Sequence, residues 1–524
     1  MKKILSAALL LASLSINAQE TYTNAELATQ DLDGDARYVG MGGAMEALGA
    51  NISAASENPA AMGLFRSNAA SVSFGMSNHS AIGNRSADSR TVVNLDQAGV
   101  VFNHRIGYNS YLNWGINYHK STNFNQIMAI ASEGLKYGDI TVKNEDGSVA
   151  YSYPLYGSQN GITYEKGGDI VDSQVDKLNY VLIGDQTFSS YDNFLKRDRR
   201  GYISNYDFTI SGNHNNRIFW GASLTIADVK YKNRTSYEEK VLDLGEPNGN
   251  ITFEDTHNIK GIGVNIKGGI IVRPIEENPL RVGLSVETPT WYNLSSESQT
   301  YGAHTIYINE PGLLLLPLKA STKCDHSFVI TTPWKFGISA GTTFGRNLAI
   351  GASFNYADYS TIKSKFKEDH KYDWWKDDIS TSYQNDEAMN KHTKATLKGV
   401  STLKLGAEYR ITPNFSLRAG YNLVTPMYSK DGVRNMFINS PGIETATTTD
   451  YTNWQSTNRF TCGAGFTKGK FFADVAFQYS TVSGTYLPYQ NCSDIVLDAY
   501  VTPSRPIDIT NSRTQLICTI GVKF

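Results

Sequence analysis

Cysteine, proline and long apolar runs are all scarce in this chain, and each scarcity excludes a class of protein. The 4 cysteines among 524 residues, Cys324, Cys462, Cys492 and Cys518, show no metal-ligand spacing and are too few to staple a small secreted scaffold. The 15 prolines form no linker, so nothing divides a length that would otherwise suggest about three domains. After the first eighteen residues no apolar run approaches the roughly 18–20 residues a helix needs to cross a bilayer, and mean hydropathy is −0.33. A helical membrane protein is therefore excluded. A net charge of −2 gives no argument for a nucleic-acid partner. No His-Glu-x-x-His motif occurs, and the 9 histidines, His104 and His119 among them, are dispersed. The chain reads as a non-enzyme with no cofactor and no metal site.

Aromatic residues and a rhythm of two are what the chain does have. Its 31 Tyr, 22 Phe and 7 Trp suit strands with interfacial aromatic girdles. In the closing segment Leu516, Cys518, Ile520, Val522 and Phe524 share one face, while Gln515, Ile517, Thr519, Gly521 and Lys523 share the other. The same alternation runs through Leu348 to Ala357, Leu403 to Thr412, Phe415 to Leu423 and Phe471 to Tyr479. A Lys or Arg facing lipid at mid-membrane costs about 2–4 kcal/mol. Lys404, Arg410 and Arg418 are therefore expected in the lumen, with Leu405, Tyr409, Leu417 and Tyr421 on the lipid side. Glu408, Arg410 and Arg418 then form a candidate lumen-facing charged network, more readily structural than a substrate site.

Connectivity separates a membrane barrel from a soluble sandwich. Tight turns fall at Gly107 to Asn109, His214 to Asn216, Arg273 to Pro279, Phe344 to Asn347, Thr412 to Asn414 and Thr467 to Lys470. Between them lie seven long polar segments, of which Ile127 to Arg200 is the longest. Short turns on one side and long loops on the other, joining fourteen antiparallel strands, are the arrangement of an outer-membrane barrel. The expected fold is thus an all-β, fourteen-stranded antiparallel transmembrane barrel over residues 69–524.

Lys2, Lys3, the apolar run Ile4 to Leu14 and the small-residue ending at Ala18 read as a signal peptide over residues 1–18, cleaved after Ala18. Residues 19–68 do not alternate. They are rich in small residues and too short for a core of their own, which suits a hatch folded into the lumen. Cys324 and Cys492 fall in expected loops and are candidates to pair in an oxidising compartment. Asp31 to Asp35 lacks the spacing of a calcium loop, and Gly40-Met41-Gly42-Gly43 lacks the preceding strand of a phosphate-binding turn.

Taken in order, several segments resemble the FadL family of outer-membrane transporters (the OmpP1/FadL/TodX group). They are Arg37 to Gly49, then Glu57-Asn58-Pro59-Ala60-Ala61, Leu280 to Ser285 with Thr288-Pro289-Thr290, Asn355 to Ser360, and Leu405 to Arg410 through Leu417 to Tyr421. The resemblance implies an N-terminal hatch plugging the barrel and passive uptake of hydrophobic small molecules such as long-chain fatty acids. Capture by loops, a lumenal pocket and lateral exit beside an inward kink of the third strand, about Tyr111 to Phe124, come with it. Gly115 and Asn117 are the kink candidates. The hatch motif maps onto Asn58, Pro59 and Ala60, with hatch glycines Gly40, Gly42 and Gly43. Expected partners are a hydrophobic, fatty-acid-like ligand, outer-membrane lipid and the barrel-assembly machinery reading Phe524. A monomer in the outer membrane of a Gram-negative bacterium is expected. Two alternatives stay open: a surface binding or adhesion barrel whose long loops carry the function, and an outer-membrane hydrolase, which would need a serine and histidine exposed on adjacent strands.

Overall fold

A computed structural model describes residues 20–85, 87–132, 139–143, 149–154, 164–166, 169–171, 188–243, 246–304, 319–373, 378–435, 438, 440, 450–487, 499–501 and 506–524. The signal-peptide expectation lies outside these residues, as do Cys492 and the Cys324 side chain.

Fourteen staves close into one antiparallel barrel. They are β1 (Ala69–His79), β2 (Arg90–Arg105), β3 (Tyr111–Asn123), β4 (Phe188–His214), β5 (Ile218–Asp243) and β6 (Glu246–Val272). Next come β7 (Arg281–Glu287 continued by Trp291–His304), β8 (Lys319–Thr331 and Lys335–Phe344) and β9 (Leu348–Asp358 and Lys363–Asp373). The circuit ends with β10 (Gly399–Arg410), β11 (Phe415–Val424), β12 (Tyr451–Lys468), β13 (Phe471–Leu487) and β14 (Ile507–Lys523). The seam pairs Ala69 with Lys523 and His79 with Arg513, so no edge is left open to lipid there.

The closing strand shows why this sequence selects this face. Leu516 and Ile520 are 40% and 61% exposed, whereas Ile517 and Thr519 are 0% and 1% exposed. Leu405, Tyr409 and Leu417 likewise face outward, and Lys404 and Arg418 are buried inward. The tight turns fall where the sequence places them. At Asn215-Asn216 both φ angles are positive, 52° and 55°, the conformation of a two-residue hairpin turn that asparagine tolerates.

The expected long loops are partly strand. β4 starts at Phe188 and β5 runs to Asp243, so both ends of the segment read as a loop at Ile127 to Arg200 (127–132 and 188–200) and most of Ser236 to Thr256 extend the barrel. Their outward face is largely polar, with Lys196, Ser236, Glu238 and Glu254 exposed, and their few apolar residues such as Leu195, Tyr237 and Phe253 point inward, so the apolar-outward alternation that marks the lower strands is missing.

Residues 20–68 lie inside the barrel as short capped turns: α1 (Thr21–Ala28), α2 (Ala36–Gly40), α3 (Ile52–Ala55) and a 3-10 turn, Pro59–Leu64. Each starts on a polar cap, in order Glu20, Asp35, Asn51 and Asn58, whose side chain accepts a backbone N–H of the first turn. The segment finds its core against the wall, where Val39, Met41, Met45 and Leu48 cluster with Phe219, Ile271, Ala476 and Ile517. Gly42 lies with φ +63°, and a Cβ there would meet Tyr421 N at 2.8 Å, so the plug backbone rests directly on the wall.

Candidate functional site

On the long-loop side of the plug the lumen encloses a cavity of about 350 Å³. Part of its wall is aromatic. Tyr22 of α1 stacks on Tyr428 with ring centroids 4.9 Å apart and lies 5.3 Å from Tyr451. Tyr231 meets Phe124 edge-on at 5.1 Å, and Ile259, Tyr292 and Phe328 complete the same cluster.

The rest of the wall is ionic and closely paired. Arg197 grips Asp450 with bonds of 2.6 and 2.8 Å. Arg199 reaches Glu26 at 3.1 Å, Arg459 reaches Asp31 at 3.4 Å, and Arg434 lies 3.7 Å from Glu20. Lys335 contacts Glu57 at 3.1 Å and Glu287 at 3.7 Å. Lys404 is shared between Glu46 at 3.1 Å and Glu57 at 3.2 Å. Burial alone would raise the pKa of Glu57, but Lys335, Lys404 and Lys267 hold it well below the usual carboxylate range. These pairs join the plug to four staves, β4, β8, β10 and β12, and through Arg434 to the segment between β11 and β12, since lumen charges are stable only when partnered.

Of the expected network, Glu408 and Arg418 are buried together. Arg418 donates to Glu408 and Asp474, both at 2.6 Å, and plug residue Arg37 binds Glu408 through two bonds of 2.9 Å. Arg410 does not join them. It is exposed at the short-turn rim, where the inward face of β10 has already passed the mouth of the lumen. Asn58 is fully buried, caps Ala60 N at 3.0 Å and donates to Leu284 O at 3.3 Å, while Pro59 opens the 3-10 turn. Gly40 and Gly42 touch the wall at β11 and β12, and Gly43 lies with φ +80° beneath Leu32 and Lys404.

The wall is interrupted between β2 and β3. Their ladder runs from Arg105/Tyr111 to Gln97/His119 and stops, so Arg90 to Leu95 pair only with β1, and Asp96 sits at a bulge of that pairing. Beyond that point β3 leaves its alternation, and His119, Lys120, Ser121 and Thr122 are all buried. The strand is drawn in by the plug. Asp31 N donates to Ser121 O at 2.7 Å, Thr122 Oγ1 to Thr29 O at 2.6 Å, and Asn123 N to Asp31 Oδ2 at 3.1 Å. Arg90 crosses to Asp198 at 2.7 Å above the gap. The irregularity falls between Lys120 and Thr122, not at Gly115 or Asn117, which keep regular pairing. Gly115 instead makes room for Met62 of the plug, 3.1 Å from where a Cβ would stand. A small void of about 20 Å³ behind the gap shares Gln30, Asp31, Tyr38, Glu57, Ser121 and Asn205 with the main cavity.

Two other chemical signals resolve into structure. Gly337-Ile338-Ser339-Ala340-Gly341 has the spacing of a hydrolase nucleophile elbow, but it runs straight along β8 with Ser339 paired to Gly283 and Ser353. That elbow needs a sharp strand-to-helix turn. The aspartates of residues 31–35 serve as ion-pair partner and helix cap, Asp31 to Arg459 and Arg513, Asp35 to Tyr38 N.

No family profile and no curated protein matches the chain. Among solved structures, the toluene transporter TbuX of Ralstonia pickettii is 14% identical, with 94% of this chain and 99% of that one covered and a TM-score of 0.44. A FadL homologue of Pseudomonas aeruginosa is 12% identical over 95% of this chain and 99% of that one, with a TM-score of 0.49. The toluene transporter TodX of P. putida is 11% identical over 94% and 99%, at 0.47. This chain is similar to solved outer-membrane transporters. The likeness is loose, and the fold rests on the closed strand pairing itself. No helix among the described residues is long and apolar enough to cross a membrane, which says nothing against strands.

Proposed function

We propose that this protein is a FadL-like outer-membrane transporter that passes small hydrophobic or amphipathic molecules without an energy source of its own. The observation that carries the reading is the opening between β2 and β3, with β3 bent onto the plug and the void behind it adjoining the cavity. A plugged barrel has no straight bore. A molecule held among Tyr22, Tyr231, Tyr428 and Phe328 has instead a side route to lipid once Asp31 and Thr29 release β3. Such sites are usually apolar with few polar anchors; here the wall charges lie against one another, which leaves the aromatic patch as the contact surface for an apolar group. Long-chain fatty acids are the cargo that the family resemblance implies; the aromatic wall suits their apolar chain, but each described cation of the wall already lies against a carboxylate, so a neutral cargo disturbs the site less.

The test closes the side route. In a background with the four cysteines changed to serine, Asp96→Cys and Lys120→Cys are joined across the gap by a bis-methanethiosulfonate, and uptake of a labelled apolar compound into proteoliposomes is followed. Uptake should fall to the protein-free level and return when reductant cuts the link. Unchanged uptake in the linked protein would remove the side route from the mechanism.

A further inference from the structure

We infer that the cavity selects uncharged, oxygen-bearing aromatic molecules, such as phenols and aryl alcohols, over carboxylates, and that the hydroxyls of Tyr231, Tyr428 and Tyr451 recognise them. The inference rests on the cavity being a cargo site, as read above.

Charge balance is the first argument. The described lining holds the cations Arg197, Arg199, Lys335, Lys404, Arg434 and Arg459, and each lies against a carboxylate already in place. An incoming carboxylate would have to displace one of those partners and leave it buried without a counter-charge. A neutral ligand disturbs none of them.

Unused hydrogen-bonding capacity is the second. Tyr231, Tyr428 and Tyr451 are 3%, 7% and 5% exposed and line the cavity. Buried tyrosines usually find a partner for the hydroxyl. Tyr22 bonds Asn453 and Tyr359 bonds the carbonyl of Ala28. The other three hydroxyls have no hydrogen-bond partner among the described residues. A ligand oxygen satisfies them when it displaces water, whereas a hydrocarbon strips the water and returns nothing.

Shape is the third. The Tyr22–Tyr428 stack and the lining rings of Tyr231 and Phe328 present flat faces and edges on which an aryl ring packs. Sites that bond a ligand hydroxyl discriminate strongly against analogues lacking it.

The full chain, purified in detergent, is titrated calorimetrically at pH 7 with 2-naphthol, naphthalene and 2-naphthoate. The naphthol should bind about 10-fold more tightly than naphthalene, and the naphthoate more weakly than either. Tyr231→Phe, Tyr428→Phe and Tyr451→Phe should each lower the naphthol-to-naphthalene affinity ratio by about 2- to 10-fold, with folding checked by heat-dependent gel mobility. Tightest binding of the naphthoate, or an unchanged ratio in all three variants, would overturn the selectivity and leave transport standing. Binding of none of the three would instead refute the cavity as a cargo site.

Discussion

Replacing Lys404 by methionine keeps the reach of the side chain and removes the charge that Glu46 and Glu57 share at 3.1 and 3.2 Å. Removing one partner of a buried ion pair costs about 3–5 kcal/mol, because the other charge stays buried. Glu57 keeps Lys335 at 3.1 Å, whereas Glu46 is 1% exposed and loses the cation that holds it. The lower end, about 3 kcal/mol, is therefore the reasonable figure, equivalent to a roughly 100-fold rise in the undocked plug population. The barrel ladders do not depend on this lysine, so the effect should be local. Hydrogen exchange of residues 35–58 is the direct assay, with single-channel conductance in planar bilayers as a second readout. Exchange should speed up by about two orders of magnitude while heat-dependent gel mobility stays that of the folded barrel. The double variant Lys404→Met, Glu46→Gln should recover much of the protection, since the stranded charge is gone. Protection equal to wild type in the single variant would show that these pairs do not hold the plug, and equal loss of the barrel would show that plug and wall are one cooperative unit.

The remaining predictions are smaller. Asn58→Ala removes the cap of the 3-10 turn and a bond to Leu284 O, and should cost about 1–2 kcal/mol of plug docking by the same exchange assay. Gly42→Ala places a Cβ 2.8 Å from Tyr421 N at a φ of +63°, so it should raise channel leak more than Asn58→Ala. Glu57 is held below its ordinary pKa, so its contribution to docking is present above about pH 4.3 and fades as the pH falls through the lowered value. Plug exchange should therefore accelerate in acid, and Glu57→Gln should flatten that pH dependence.

What was legible in the sequence follows the boundary between lipid and lumen. Leu405 against Lys404, and Ile520 against Thr519, lie where each strand has oil on one side and ions on the other, so a period of two marks both face and register. That contrast vanishes above the membrane, and the upper halves of β4, β5 and β6 look like loops for that reason. It also ends at the short-turn rim, where Arg410 keeps its phase but leaves the lumen. Lys404 with Glu57, Arg197 with Asp450, and Arg37 with Glu408 are joined only by barrel closure, and nothing local in the chain announces them. The bend in β3 is of the same kind. It is imposed by Asp31 and Thr29 of the plug, not by a glycine of its own.

The 27 residues of β4 and of β6 have a further consequence. A tilted strand crosses the hydrocarbon with about 9–11 residues. More than half of each stave therefore stands clear of the lipid, and the mouth sits at the top of a chimney. A molecule dissolved in the membrane never meets that mouth. On the transport reading proposed above, cargo enters from water at a distance and leaves through a side opening lower down, so the two ends of the path meet different phases, the aqueous medium at one and the bilayer at the other.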